Sequence, residues 1–145
     1  MKIATFLLAL LALTFSMLSC SPSSATEQRK SDGPLGDYQY TGYDKSGVKI
    51  VQGRLSITSV EADKLEGEWQ FEKIGNPERI GPQVGKGTLE GSIIKGEIFI
   101  NLNPNTVDNN VDLRGQLEGK RFHGTWSYDG FAAGINKGTF EALRK

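Results

Sequence analysis

The chain has 145 residues, with 17 Lys and Arg against 17 Asp and Glu and a single histidine, so its formal net charge is zero. That balance argues against a nucleic-acid partner, because phosphate binding needs a basic face. A single cysteine excludes a disulfide within the chain, so a folded domain must rest on its apolar core.

The N-terminus reads as an export signal. Lys2 precedes an apolar run from Ile3 to Leu18, and the small residue Ser19 follows. A charged start, an apolar middle and a small residue before the cut make a secretory signal peptide over residues 1–19. The run is short for a bilayer span, which needs about 20 residues. Met17-Leu18-Ser19-Cys20 resembles the lipobox of bacterial lipoproteins. The resemblance implies cleavage before Cys20, a diacylglyceryl group on its thiol and a fatty acyl chain, palmitate or similar, on its new amine. Several chains together anchor stably where one is marginal. The expected partner is therefore a membrane of the cell envelope. Ser21 after the cysteine resembles the outer-membrane sorting pattern of Gram-negative lipoproteins. Removal of Lys2 with the leader leaves one more acid than base.

Residues 20–36 continue as "CSPSSATEQRKSDGPLG", rich in Ser, Pro, Gly and charge with no apolar period. They read as the lipidated cysteine and a flexible tether. Residues 37–145 are then one domain by size.

Within that domain one pattern recurs. It runs as Tyr40-x-Gly42-x-Asp44, Gly53-x-Leu55, Leu65-x-Gly67-x-Trp69 and Gly87-x-Leu89. It continues as Ile94-x-Gly96-x-Ile98, Gly115-x-Leu117, Phe122-x-Gly124-x-Trp126 and Gly138-x-Phe140. A period of two marks strands, each with a glycine on its apolar face. Glu66, Glu68, Gln70 and Glu72 alternate with Leu65, Trp69 and Phe71, as in an antiparallel sheet with one wet face. Glycine weakens a strand unless geometry needs it. Here it makes room for Trp69, Ile98 and Trp126. The expected hairpin pairings are Ile57 with Leu65, Gly91 with Ile94, and Gly119 with Phe122. Each sets large residues against glycines. Pairing of Phe140 with Gly42 would close the sheet.

The fold class is therefore all-β, an eight-stranded antiparallel up-and-down β-barrel, with a two-sheet sandwich as the alternative. The plan resembles the calycin-type barrels, lipocalins and avidins among them. Gly124-Thr125-Trp126 is similar to their Gly-x-Trp, which in those families lies in the first strand and here in the seventh. The resemblance implies a fold and carries over no ligand.

Long connections are expected at one end, over residues 73–83, 104–110 and 129–136. Binding residues gather on such loops and in barrel mouths. Phe71, Ile100, Leu102, Tyr128 and Phe131 are the candidate ligand-binding residues there. A narrow eight-stranded barrel can also be filled by side chains alone. His123 alternates with Phe122 and Gly124 and should face outward, so no catalytic residue is assigned. No cofactor is expected. No metal is assigned either: no paired histidines occur, and Asp108, Asn109, Asn110 and Asp112 lack an EF-hand pattern. Ser46-Gly47-x-Lys49 resembles the loop of periplasmic lysozyme inhibitors, without their usual tyrosine and cysteines. The leading expectation is a non-enzymatic envelope lipoprotein that binds a small apolar or amphipathic ligand at the long-loop end. The alternative is a protein-binding module, an inhibitor or envelope assembly factor, with a solid core and exposed contacts such as Phe99.

Overall fold

The structure, a computed structural model, describes residues 33–77, 80–130 and 134–145. The leader, Cys20, most of the tether and Phe131 lie outside the described residues. No helix among the described residues is long and apolar enough to cross a membrane.

Eight strands follow one another: β1 (Gly36–Tyr43), β2 (Lys49–Glu61), β3 (Lys64–Lys73), β4 (Gly85–Ile94), β5 (Glu97–Asn101), β6 (Asn109–Glu118), β7 (Arg121–Gly130) and β8 (Gly134–Arg144). Each pairs antiparallel with its neighbours in sequence, and β8 returns to β1 to close the barrel. The seam lies where the sequence places it, with Phe140 opposite Gly42.

The hairpin registers differ from expectation. Ile57 pairs with Gly67, Leu117 with Phe122, and Gly91 with Ile100. The reason lies in the turns. Gly96 is no strand residue: Ile94 pairs with Glu97, and Lys95 and Gly96 form the loop with φ of 53° and 85°. Positive φ at both central positions is the type I′ arrangement that matches strand twist. Gly119, at φ 60°, likewise begins the loop between Glu118 and Arg121. A glycine in a period-two pattern serves a strand or ends one, and spacing alone does not separate the two. The last hairpin also corrects the expected loop over 129–136, because paired strand runs to Gly130 and resumes at Gly134.

The rule of large against small survives with other partners. Trp69 faces Gly87, Leu89 faces Gly67, Phe71 faces Gly53, Ile98 faces Gly115 and Trp126 faces Gly138. Phe140 stands between Gly42 and Gly124, one on each side. At Gly124 an added Cβ would run into the backbone of Arg114 and Gly115. Close approach of two strands, as well as room for a ring, demands glycine there.

The inward faces form the core. Tyr38, Tyr40, Leu55, Leu65, Leu89, Leu113, Phe122 and Ala142 are buried at 0–1% exposure. The Tyr40 ring stacks on Phe71 with centroids 4.1 Å apart, and Phe122 meets Phe140 edge-on at 4.8 Å. Each such side chain contributes about 1.5–3 kcal/mol on burial. Among the described residues the core cluster runs from Tyr38 to Ala142.

Candidate functional site

At the long-loop end, β1–β2, β3–β4 and β5–β6 are joined by residues 44–48, 74–84 and 102–108. The first is a tight turn. The Asp44 carboxylate accepts the Ser46 and Val48 amides at 2.8 and 2.9 Å. In the second, Ile80 and Gln83 are buried at the barrel mouth. Gln83 is fully enclosed: its Nε2 donates to Ile80 O at 3.0 Å, and the Tyr40 hydroxyl donates to its Oε1 at 3.3 Å. Those bonds answer the cost of burying an amide. Burial drives the Tyr40 hydroxyl pKa well above its ordinary value.

The sequence-chosen mouth residues fall around this plug. Phe71, Ile100 and Leu102 are buried in the core, at 3%, 2% and 0% exposure. Tyr128 is half-buried; its ring lies against Gly81 and its hydroxyl donates to Asn109 Oδ1 at 3.0 Å. Phe131 lies outside the described residues. The structure thus brings the described candidates to one end, beneath or beside a loop that covers it. Ile80 and Gln83 escaped sequence reasoning because their loop has no periodic signal.

The third loop is held by amides. Asn103 N donates to Asn101 Oδ1 at 2.8 Å, and Asn103 Nδ2 to Asn109 O at 3.1 Å. One end of the Asn110 amide faces Asn103 O at 2.8 Å and Thr106 O at 3.1 Å. Both are acceptors, so that end is the nitrogen.

Several shallow concavities lie on the outer wall, and one of about 380 Å³ crosses β4, β5, β6 and β7. Register builds it from two adjacent ladder rows. One row is Ser92, Phe99, Arg114 and Thr125; the other is Glu90, Asn101, Asp112 and Ser127. Phe99 is half-buried between the small Ser92 and the long Arg114. The Arg114 guanidinium carbon lies 5.0 Å from the Phe99 ring centre, in cation–π range. Nε and Nη2 of Arg114 donate to the two carboxylate oxygens of Glu97, both at 2.9 Å. These bonds and the guanidinium charge hold the Glu97 carboxyl below the usual carboxylate range and raise Arg114 in turn. The pair fixes the plane of the guanidinium.

His123 sits on the outer wall as expected, between Gln116 and Glu141 on its flanking strands. Its Nε2 is 3.2 Å from Glu118 Oε2, an ion pair when the imidazole is protonated. Among the described residues no group of three or more His, Cys, Asp and Glu could hold a metal ion.

No protein-family model, no curated protein and no solved structure matches the chain.

Proposed function

We propose that the chain is a non-enzymatic binding module of the cell envelope, anchored by lipid at Cys20, that meets its partner with the outer wall of a solid barrel. The observation that carries this reading is the plugged mouth. A small apolar ligand at the long-loop end would have to displace Ile80 and Gln83 and separate Tyr40 from Phe71. The outer groove asks for no such rearrangement. Its aromatic side chain is already partly exposed, and its arginine is already oriented. The anchor rests on the lipobox resemblance around Cys20.

Native mass spectrometry on the chain from Ser21 onward, purified gently, tests the solid-core reading. The expected result is the bare polypeptide mass. Reproducible added mass that leaves on denaturation would return the assignment to an interior ligand. Metabolic labelling of the full chain with a palmitate analogue tests the anchor. Label should enter the wild type and be absent from Cys20→Ala.

A further inference from the structure

We infer that the outer-wall groove over β4–β7 is a carbohydrate-binding site. The inference rests on the outer-wall reading above and names the chemistry of what docks there.

The two rows offer different chemistry. The row through Phe99 has one aromatic ring beside an oriented guanidinium, flanked by the short side chains of Ser92 and Thr125. The row through Asn101 has a carboxylate on each side of an amide, Glu90 on β4 and Asp112 on β6, and then Ser127. Same-face residues two apart along a strand lie about 7 Å from each other, and neighbouring strands about 4.8 Å. The Arg114 guanidinium covers one face of the Phe99 ring, so a flat ring laid on the other face has its edge toward the polar row. Sugars have such a form, with an apolar face of C–H groups and a rim of hydroxyls that both donate and accept. The Glu90 carboxylate accepts from hydroxyls, the Asn101 amide nitrogen donates while its Oδ1 takes the Asn103 amide, and Arg114 donates. Glu97 takes Nε and Nη2 of Arg114, so the Nη1 amino group lies outside that bidentate pair.

Size and composition agree. About 380 Å³ falls at the small end of ligand sites, which run from about 300 to 1,000 Å³. A docked protein segment fits less well. The centre of a protein interface is depleted of charged residues and built on large apolar anchors. Here two acidic residues, Glu90 and Asp112, lie in the row beside a single ring. The occupant that uses every feature of the groove is a neutral, polyhydroxylated chain lying across the strands.

The test is an NMR titration of the ¹⁵N-labelled chain from Ser21 onward. The probes are tetrasaccharides of N-acetylglucosamine, glucose and mannose, each at millimolar concentration. At least one should shift the amides of residues 90–92, 99–101, 112–114 and 125–127. Phe99→Ala should weaken that binding at least tenfold, and Glu90→Gln severalfold, with the remaining spectrum unchanged. Thr88→Ala, on the same wall outside the groove, should bind as wild type. If no tetrasaccharide moves these amides, or Phe99→Ala binds normally, the carbohydrate assignment is overturned. Shifts of the same amides by a basic decapeptide but not by sugars would overturn it while leaving the outer-wall reading in place. Shifts at Phe71, Ile100 and Leu102 with a short-chain fatty acid would overturn both.

Discussion

Trp69 and Trp126, four strands apart, make the same hydrogen bond. Trp69 Nε1 donates to Leu102 O at 2.6 Å, and Trp126 Nε1 donates to Tyr43 O at 2.7 Å. Each indole starts on the third strand of a four-strand unit and passes over the glycine opposite, Gly87 or Gly138. Each ends on a carbonyl at or just past the end of the next unit's first strand, β5 for one and β1 for the other. At both places ladder pairing stops: β4 pairs with β5 only over Glu90–Ile94, and β8 with β1 only over Thr139–Arg144. The indoles bridge the two places where the ladders run out. The barrel is two similar halves, β1–β4 and β5–β8, joined by the β4–β5 and β8–β1 ladders with a tryptophan added at each junction.

That bridge predicts a matched pair of effects. Trp69→Phe and Trp126→Phe should each lose one hydrogen bond and part of a ring. About 0.5–1.5 kcal/mol of each loss comes from the bond alone. Truncation to Ala should cost about 3–5 kcal/mol at either position. Urea unfolding of the four variants measures this. A large loss at one tryptophan and none at the other would mean the halves are not equivalent.

Two glycines of the repeat should respond to valine for different reasons. Gly124→Val forces a side chain into the Arg114 and Gly115 backbone, a clash with no flexible partner to yield, and should cost at least about 1–3 kcal/mol. Gly96→Val meets open space but must hold a β-branched residue at φ 85°, costing about 1–2 kcal/mol from backbone strain alone. Lys95 already occupies φ 53°. Lys95→Asn creates an Asn-Gly type I′ turn and should stabilise by a few tenths to about 1 kcal/mol. Thermal melts of the three variants should give two losses and one gain.

These glycines show what the sequence could and could not carry. Alternation marked eight strands and put Gly42 against Phe140 at the seam, because inward and outward residues differ in polarity along almost every strand. Register was not legible, because a glycine serves a strand interior or a turn at the same spacing. The consequence reaches the functional surface. Pairing Gly91 with Ile94 would set Phe99 against Lys86, whereas the observed register sets it against Ser92 and opens the groove. The plug was hidden for another reason: Ile80 and Gln83 are buried by tertiary packing of a loop, which leaves no period in the chain.

Alkaline pH should unfold the barrel through Tyr40. Burial raises its folded pKa, while the unfolded chain ionises near the ordinary value of 10. Below that value both states hold the proton and stability is unaffected. Above it the unfolded state releases a proton that the folded state keeps, so stability falls as pH rises. Tyr38 is also raised by burial, with Arg144 opposing, and adds to the loss. Tyr40→Phe should flatten the decline above pH 10, read from urea midpoints between pH 8 and 11. An unchanged slope would mean that the hydroxyl is wet.

Asn110 should resist a one-atom change. Its amide nitrogen faces Asn103 O and Thr106 O, so Asn110→Asp would set a carboxylate against two carbonyls. The expected loss is about 0.5–1.5 kcal/mol for each hydrogen bond given up. Faster amide exchange over residues 102–110 should accompany it. Wild-type stability would mean the loop draws its shape from elsewhere.

The plug itself can be pried open at Gly81. An added Cβ there would lie 2.5 Å from the Tyr128 ring, at a backbone φ of 61° that side chains rarely adopt. Gly81→Val should therefore lift Ile80 and Gln83 from the mouth while leaving the strand ladders intact. Lifting them exposes Phe71, Ile100 and Leu102, so the variant should bind an apolar dye that wild type ignores, with near-wild-type β-sheet circular dichroism. Dye binding by the wild type would show that the mouth opens spontaneously, and the balance would move from the outer wall back to the interior. Loss of sheet signal in the variant would mean that the loop is part of the barrel's folding core rather than its cover.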